Sequence, residues 1–453
     1  MSKIKEVPED SEWNRVSAHT HIRGLGIVDG EAKDGADGMV GQSEAREAAD
    51  LVVDLVKEGK FGGHGILLAG PPGSGKTAIA LGISKELGNQ VPFVQIAGSE
   101  IYSTDMKKTE FLTQSLRKSI GVKISEERDV YEGKVGSVDI SQGQSNPMNP
   151  YGGGVSSAKI TLETKDDSKT LSLGKQVASQ IQKNGIEEGD VVEIDEETGK
   201  ISKQGRSEDA TDKDTLVSGN IVPTPSGDIS KTKDFTHTLS LHQLDRVNSQ
   251  AASRGMASMF FGSSGNEISK DLRNKVDSQV KEWVESGKAE IKPGVLFIDE
   301  CSILDVEAFA FLNRAMENEL SPILVFATNR GITKIKGTDI ESPHGMPLDL
   351  LDRLLIINTQ KYKREEIKKI IGERVEEEDV DIDENALDLL SDIGEETSLR
   401  YSTRLVGPCQ QAVKKEDKEK IEEEDIKKVR KLYSDINESS QYLKDQEKEF
   451  LEG

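Results

Sequence analysis

Along the chain, short unbroken apolar runs alternate with longer stretches in which apolar residues recur every three or four positions. Gly65-Ile-Leu-Leu-Ala69 leads to a helical pattern from Ala78 to Leu87, and Pro92-Phe-Val-Gln-Ile96 leads through Gly98-Ser-Glu-Ile101 to a polar helix ending near Lys118. The theme resumes with Gly294-Val-Leu-Phe-Ile-Asp-Glu300, a helix from Val306 to Asn318, Pro322-Ile-Leu-Val-Phe-Ala-Thr328, and strand-like Leu354 to Asn358. Runs this apolar suit strands buried on both faces, and their alternation with helices predicts a parallel sheet flanked by helices. Upstream, Gly38-Met-Val-Gly-Gln42 precedes a further helical pattern from Ser43 to about Glu58.

At about Gly121 the pattern changes. Val130 to Ile140 alternates at period two, Lys159 to Lys165 and Lys169 to Leu173 are strand-like, Lys175 to Lys183 is helical, and Asp190 to Lys203 reads as a hairpin. Three strands, a helix and two strands match a small OB-like barrel. Ser141 to Gly154 and polar Ser207 to Thr232 read as loops, and residues 235–292 lead back towards the first domain. Within them Lys270 to Ser286 is helical, with Leu272, Val276, Val280, Trp283 and Val284 near one face, most simply as core packing. Residues 363–433 are mainly helical and heavily charged, as in a small lid, and Lys414 to Lys431 reads as a solvated helical surface. The expected domains are therefore a core over 1–121 and 293–363, an insertion over 122–292, and a helical lid over 364–453.

Composition narrows the function classes. A chain of 453 residues suits two or three domains. Its 59 Lys and Arg against 82 Asp and Glu give a formal charge of −23, which disfavours broad attraction to nucleic acid while leaving room for a local basic channel. Cys301 and Cys409 are far apart without metal-like spacing, so packing is the simplest role for Cys301 and a reduced, cytosolic setting the expectation. No apolar run reaches about 18 residues, so no membrane partner is expected.

The chemistry concentrates at Gly70-Pro71-Pro72-Gly73-Ser74-Gly75-Lys76-Thr77-Ala78, between a strand and a helix. Here successive backbone N–H groups and the positive helix end converge on one anion. The glycines permit close phosphate approach, Lys76 reaches the β- and γ-phosphates, and the Thr77 hydroxyl serves Mg²⁺. The apolar run ending in Asp299 and Glu300 delivers two carboxylates to a sheet edge, Asp299 for Mg²⁺ and Glu300 to polarise the attacking water. Of Thr328, Asn329 and Arg330 at the next strand tip, Asn329 is the choice for orienting that water. Arg353, in Leu350-Leu-Asp-Arg-Leu-Leu355, is a candidate arginine finger for a neighbour's site, with a salt bridge inside its own subunit as the plainer alternative. Arg400 could report on the nucleotide, and Arg404 lies one turn later on the same face. His19 and His21 lack clustered co-ligands, so surface or packing roles outweigh a metal site.

Taken together, GPPGSGKT, LFIDE, ATNRG, LLDRLL and TSLRYSTRL closely resemble the RuvB-like AAA+ ATPases of the pontin and reptin group, from His19-Thr-His-Ile-Arg-Gly-Leu-Gly26 into the C-terminal lid. The resemblance implies ATP or ADP with Mg²⁺ at the interfaces of a homo-oligomeric, hexameric ring, and an insertion projecting as an OB-containing domain. It implies that His19 and His21 contact or gate the nucleotide, that Val40, Gly41 and Gln42 border the adenine, and that Tyr362 lies near the base. It suggests DNA helicase activity or remodelling of DNA or RNA assemblies, with an ATP-gated scaffold or chaperone for protein clients as the alternative, and it looks like an archaeal member. Ser74 stands where threonine is frequent, without changing a chemical group the mechanism needs.

Overall fold

The computed structural model describes residues 21–444 except 89, 104–105, 143–154, 211–219, 254–267, 319, 379, 417, 419 and 437. Contacts divide the chain into two compact units, one over 123–237 with 285–289 and the other over the rest.

The larger unit is built on five parallel strands, β1 (Gly65–Ala69), β2 (Phe93–Ala97), β3 (Val295–Asp299), β4 (Ile323–Thr328) and β5 (Leu354–Asn358), in the order β5-β1-β4-β3-β2. Successive side chains of a strand point to opposite faces, and here both faces are covered. Ile66, Leu68, Val295, Phe297, Val325 and Ala327 meet the helices Ser43–Lys57 and Lys76–Leu87. Leu67, Leu296, Ile298, Leu324 and Phe326 meet Lys108–Lys118 and Val306–Met316. That double burial is why the central runs are apolar, whereas the edge strand β2 carries the exposed Gln95. Strand β5 lies at the sheet's edge, with Leu355 41% and Ile356 47% exposed.

Register places the chemistry. Ala69 is level with Thr328 on one side and Asn358 on the other, so Gly70, Asn329 and Thr359 emerge together at one sheet edge. Ser43–Lys57 and Lys76–Leu87 form where expected, whereas the helix expected to follow Gly98 is confined to Lys108–Lys118.

Beyond β5, the lid helices Arg364–Glu377, Glu384–Glu396, Leu399–Lys415 and Glu423–Arg430 share a core that includes Ile371, Leu390, Val406 and Ile426. The stretch 414–431 is therefore not one solvated surface. Its helix breaks after Lys415, and Ile421, Ile426 and Val429 are buried, three apolar residues masked in the sequence by the surrounding charges.

The smaller unit holds an antiparallel sheet around the long strand Ile120–Gln142, which pairs with Val155–Glu163 and Asp190–Asp195. The helix Lys175–Lys183 and the pair Asp190–Asp195 and Ile201–Ser207 form as expected. Val135, Ile160, Ile181, Val192 and Ile194 make the core. The polar stretch expected as a loop over 207–232 contains the short strand Ile221–Val222 and the start of Ser230–Ser240, whose polar composition hides an extended ladder. Much of the loop expected over 141–154, with Tyr151, lies outside the described residues.

This unit is narrower than the span 122–292, because residues 238–284 pack with the larger one. Two helices there, Leu241–Ser253 and Lys270–Glu285, are fastened by buried charge. Arg117 grips Asp245 through two bonds, of 2.5 and 2.7 Å, and Asp277 through a third of 2.7 Å, while Arg273 grips Glu110. On Lys270–Glu285, Val276 and Val280 are buried, but Val284 is exposed and Arg273 takes a buried place instead.

Candidate active site

A cleft open to solvent lies between the phosphate loop and the lid. Gly73, Ser74, Gly75, Lys76, Thr77 and Ala78 line one wall. Gly75 has φ of 82°, a left-handed conformation that lets the helix Lys76–Leu87 start directly beneath the loop. Gly70, Pro71 and Pro72 shape the loop from outside the cleft. The Gly70 amide donates to the Thr328 carbonyl over 3.1 Å, pinning the loop to β4.

Lys76 folds back onto its own loop. Its ammonium donates to the carbonyls of Gly70 (3.0 Å) and Pro71 (2.7 Å) and to Ser74 Oγ (3.4 Å). Burial lowers its affinity for the proton, Asp299 opposes that shift, and Arg400 adds to it. A half-buried cation held only by neutral oxygens, beside main-chain amides, suits a polyanion.

Asp299 ends β3 and lines the cleft with Lys76 and Thr77. Glu300 follows at φ 53°, a left-handed angle that costs a non-glycine residue about 1 kcal/mol or more, with its amide donating to Asp299 Oδ1 over 2.9 Å. Its side chain is exposed and does not line the cleft. Asn329 is likewise exposed one residue beyond β4, outside the lining. Thr328 is buried, and its hydroxyl accepts from the Arg330 amide.

The opposite end is walled by His21, Met39, Val40 and Tyr362, with Glu373 and Arg374 from the lid. His19 lies outside the described residues. Gly41 and Gln42 are not among the residues that line this wall. Gln42 instead spends its amide on the backbone of Gln360, donating over 2.6 Å and accepting over 3.0 Å. Burial raises the Tyr362 phenol well above its usual range, with Glu366 adding to the shift, so it stays neutral. Burial pushes the Cys301 thiol up likewise, and that of Cys409 up to about 12, leaving both inert packing groups.

His21 is depressed from 6.5 by burial and then by the Arg374 cation, against an opposing pull from Glu377. The unfolded chain therefore binds this proton more readily, so His21 lowers stability as pH falls through and below 6.5, and contributes nothing above it. Urea midpoints should consequently fall less for His21→Gln than for wild type between about pH 8 and about pH 5.5. Equal losses would remove His21 from this account.

Sequence reasoning missed Arg46, which is fully buried behind this wall. Its guanidinium donates to five carbonyls, those of Leu25, Gly26, Lys33, Met39 and Gly41. Asp34, 3.9 Å away, accepts from the Gly41 amide and pairs with Lys369 of the lid. An arginine at helical spacing with Ala49 and Val53, on the apolar face of Ser43–Lys57, was the available signal. Arg46→Ala should cost about 3–5 kcal/mol in urea unfolding, and Arg46→Lys should rescue little, since an ammonium cannot reach that set of acceptors. An unchanged midpoint for Arg46→Ala would contradict this.

On the lid, Arg400 lines the cleft beside Gly73. Thr403, rather than Arg404, is its neighbour on that face, and Arg404 is exposed elsewhere. Arg353 is not part of its own chain's cleft. It precedes β5, pairs with Glu317 over 2.7 Å, and has its carbonyl bonded to the Gly65 amide, at the opposite edge of the sheet from Gly70. Five strand residues separate the edges, about 16 Å.

The hydroxyl of Thr77 and the carboxylate of Asp299 are hard oxygen donors on one cleft, a set that fits Mg²⁺ completed by phosphate oxygens and water. No helix among the described residues is long and apolar enough to cross a membrane. Compared with known families, residues 15–365 match the TIP49 P-loop domain and residues 370–435 the TIP49 AAA-lid domain. With the phosphate loop, the acid-tipped strand and the helical lid assembled in this order, the chain belongs to the TIP49 family, the RuvB-like AAA+ ATPases of the pontin and reptin group.

Proposed function

We propose that this ATPase binds ATP with Mg²⁺ between loop and lid, hydrolyses it within a hexameric ring, and couples turnover to remodelling of nucleic acid or protein–nucleic-acid assemblies. The observation that carries the hydrolytic part is the convergence of Lys76, Thr77, Asp299 and Arg400 on one cleft. Lys76 exchanges its loop carbonyls for β- and γ-phosphate oxygens, a stronger charge-assisted pairing. Thr77 and Asp299 would hold Mg²⁺, which supplies charge neutralisation at the phosphates. Glu300 accepts the water proton, Asn329 orients the water, and Arg400 contacts the γ-phosphate from the lid. His21, Val40 and Tyr362 enclose the base.

In this reading Arg353 acts on a neighbouring subunit, because its own cleft lies across the sheet. Turnover per subunit should rise with protein concentration and then plateau as rings form. Concentration-independent turnover would argue for a self-sufficient chain.

Coupling to strand separation is tested on a tailed duplex with a Lys76→Ala control, alongside an ATPase titration with single-stranded DNA, duplex DNA and RNA. Unwinding by wild type alone supports a motor. The second reading, an ATP-gated scaffold for protein clients, draws on the insert. Its strand order supports an OB-like barrel, which would bind bases through exposed aromatic faces. Yet the ring of Tyr131 is faced by Lys169 at 4.7 Å and that of Phe235 by Arg128 at 5.9 Å. Intact duplex together with client binding that follows nucleotide state would favour the scaffold.

A further inference from the structure

Only five residues, Thr359 to Lys363, join the core sheet to the first lid helix, and this joint is bonded to the phosphate loop itself. Thr359 is 5% exposed and Ser74 2%, and their hydroxyls meet at 2.6 Å. The Thr359 amide also donates to the Ala69 carbonyl over 2.8 Å. A methyl group on Gly70 would collide with Thr359, and one on Gly75 with the Tyr362 phenol, so the joint touches the loop at both ends. Between these points Gln42 clasps the Gln360 backbone through both of its amide atoms. Immediately downstream, the helix Arg364–Glu377 brings Ile370, Glu373 and Arg374 to the cleft.

Ser74 also serves Lys76, whose ammonium approaches its Oγ at 3.4 Å while resting on the loop carbonyls. A triphosphate that draws Lys76 away removes that cation from Ser74 and leaves the buried hydroxyl pair to readjust. Ser74 Oγ also donates to the Pro71 carbonyl over 2.8 Å and Thr359 Oγ1 to the Ala69 carbonyl over 3.3 Å, so parting the two hydroxyls forfeits their short mutual bond in a buried setting and leaves each with weaker satisfaction. Movement at Ser74 is therefore passed to Thr359, and through a joint this short to the lid helix.

We propose that Thr359 is a positioning residue whose bond to Ser74 transmits the occupancy of the phosphate loop to the lid, with Gln42 keeping the next joint residue in register. This rests on the ATP-binding reading above. It assigns Gln42 to the joint rather than to the base.

The test is amide hydrogen exchange over Arg364–Glu377 in the full chain, with and without a slowly hydrolysed ATP analogue, beside binding and release of a fluorescent ADP. In wild type, nucleotide slows exchange in this helix. Thr359→Val keeps the shape and removes the hydroxyl. It should still bind nucleotide, lose the slowing, and release ADP about five- to tenfold faster, the effect of one buried hydrogen bond. Thr359→Ser should restore both. Ser74→Ala removes the other partner together with its bond to Pro71 and its contact with Lys76, so its exchange is read at saturating nucleotide, where it too should lose the slowing, and Thr359→Val should add nothing further to that loss. Should Thr359→Val fail to fold, Ser74→Ala carries the same test. Wild-type slowing in a nucleotide-bound variant overturns the proposal alone, as does loss of binding by Thr359→Val. A wild-type protein that binds no adenine nucleotide overturns the ATP reading and this one with it.

Discussion

Glu300→Gln retains ATP and lowers kcat by about 100- to 10,000-fold, the range for losing a positioned general base. The substitution is well suited to isolate the carboxylate. Glutamine has the same length, and it meets the same left-handed backbone at φ 53°, so the local strain is unchanged. The amide bond to Asp299 Oδ1 belongs to the main chain and survives. What disappears is an acceptor able to take a proton. Equilibrium binding of ATP together with single-turnover hydrolysis separates the two effects. Wild-type single-turnover rates would remove Glu300 from the chemistry and direct attention to Asn329.

Arg353→Ala should lose about 1,000- to 100,000-fold in kcat while ATP affinity stays near wild type, as for an arginine that meets only developing charge. Within the chain, Arg353 pairs with Glu317, and both side chains are more than a third exposed. Such a pair contributes about 0–1 kcal/mol to stability, too little to explain a collapse of activity. Glu317→Ala is the matched control, since it breaks the same pair and leaves the guanidinium free. Mixing Arg353→Ala with Lys76→Ala chains should recover part of the activity, because some interfaces then join an intact loop to an intact arginine. Two inactive variants that remain inactive together would count against sharing between subunits.

The sheet was legible because its three central strands are buried on both faces and so are apolar along nearly their whole length, a pattern few other arrangements share. Lys76, Thr77 and Asp299 were legible because phosphate chemistry fixes their spacing from a strand end. What escaped was held by partners distant in sequence. Arg46 reads as an ordinary helix arginine until the loop carbonyls of Leu25 and Gly41 close around it. Thr359 looks like one more polar residue after a strand, and only the register of β5 against β1, which sets it level with Gly70, and the turn of the loop bring its hydroxyl to Ser74. Gln42 sat next to the correct loop, but its amide faces the joint. The strand Ser230–Ser240 escaped because half-exposed ladders accept polar residues that composition assigns to loops.

The exposed flank of β5 bears on how this protein must be handled. Among the described residues no strand pairs with its outer side, and Leu355 and Ile356 on it are exposed. An isolated subunit thus offers a template on which a foreign strand can grow. A surplus of 23 negative charges keeps such subunits apart in dilute buffer, but at about 1 M salt repulsion reaches only about 3 Å. Concentrated salt washes during purification should therefore provoke turbidity, most of all in preparations where subunits have come apart.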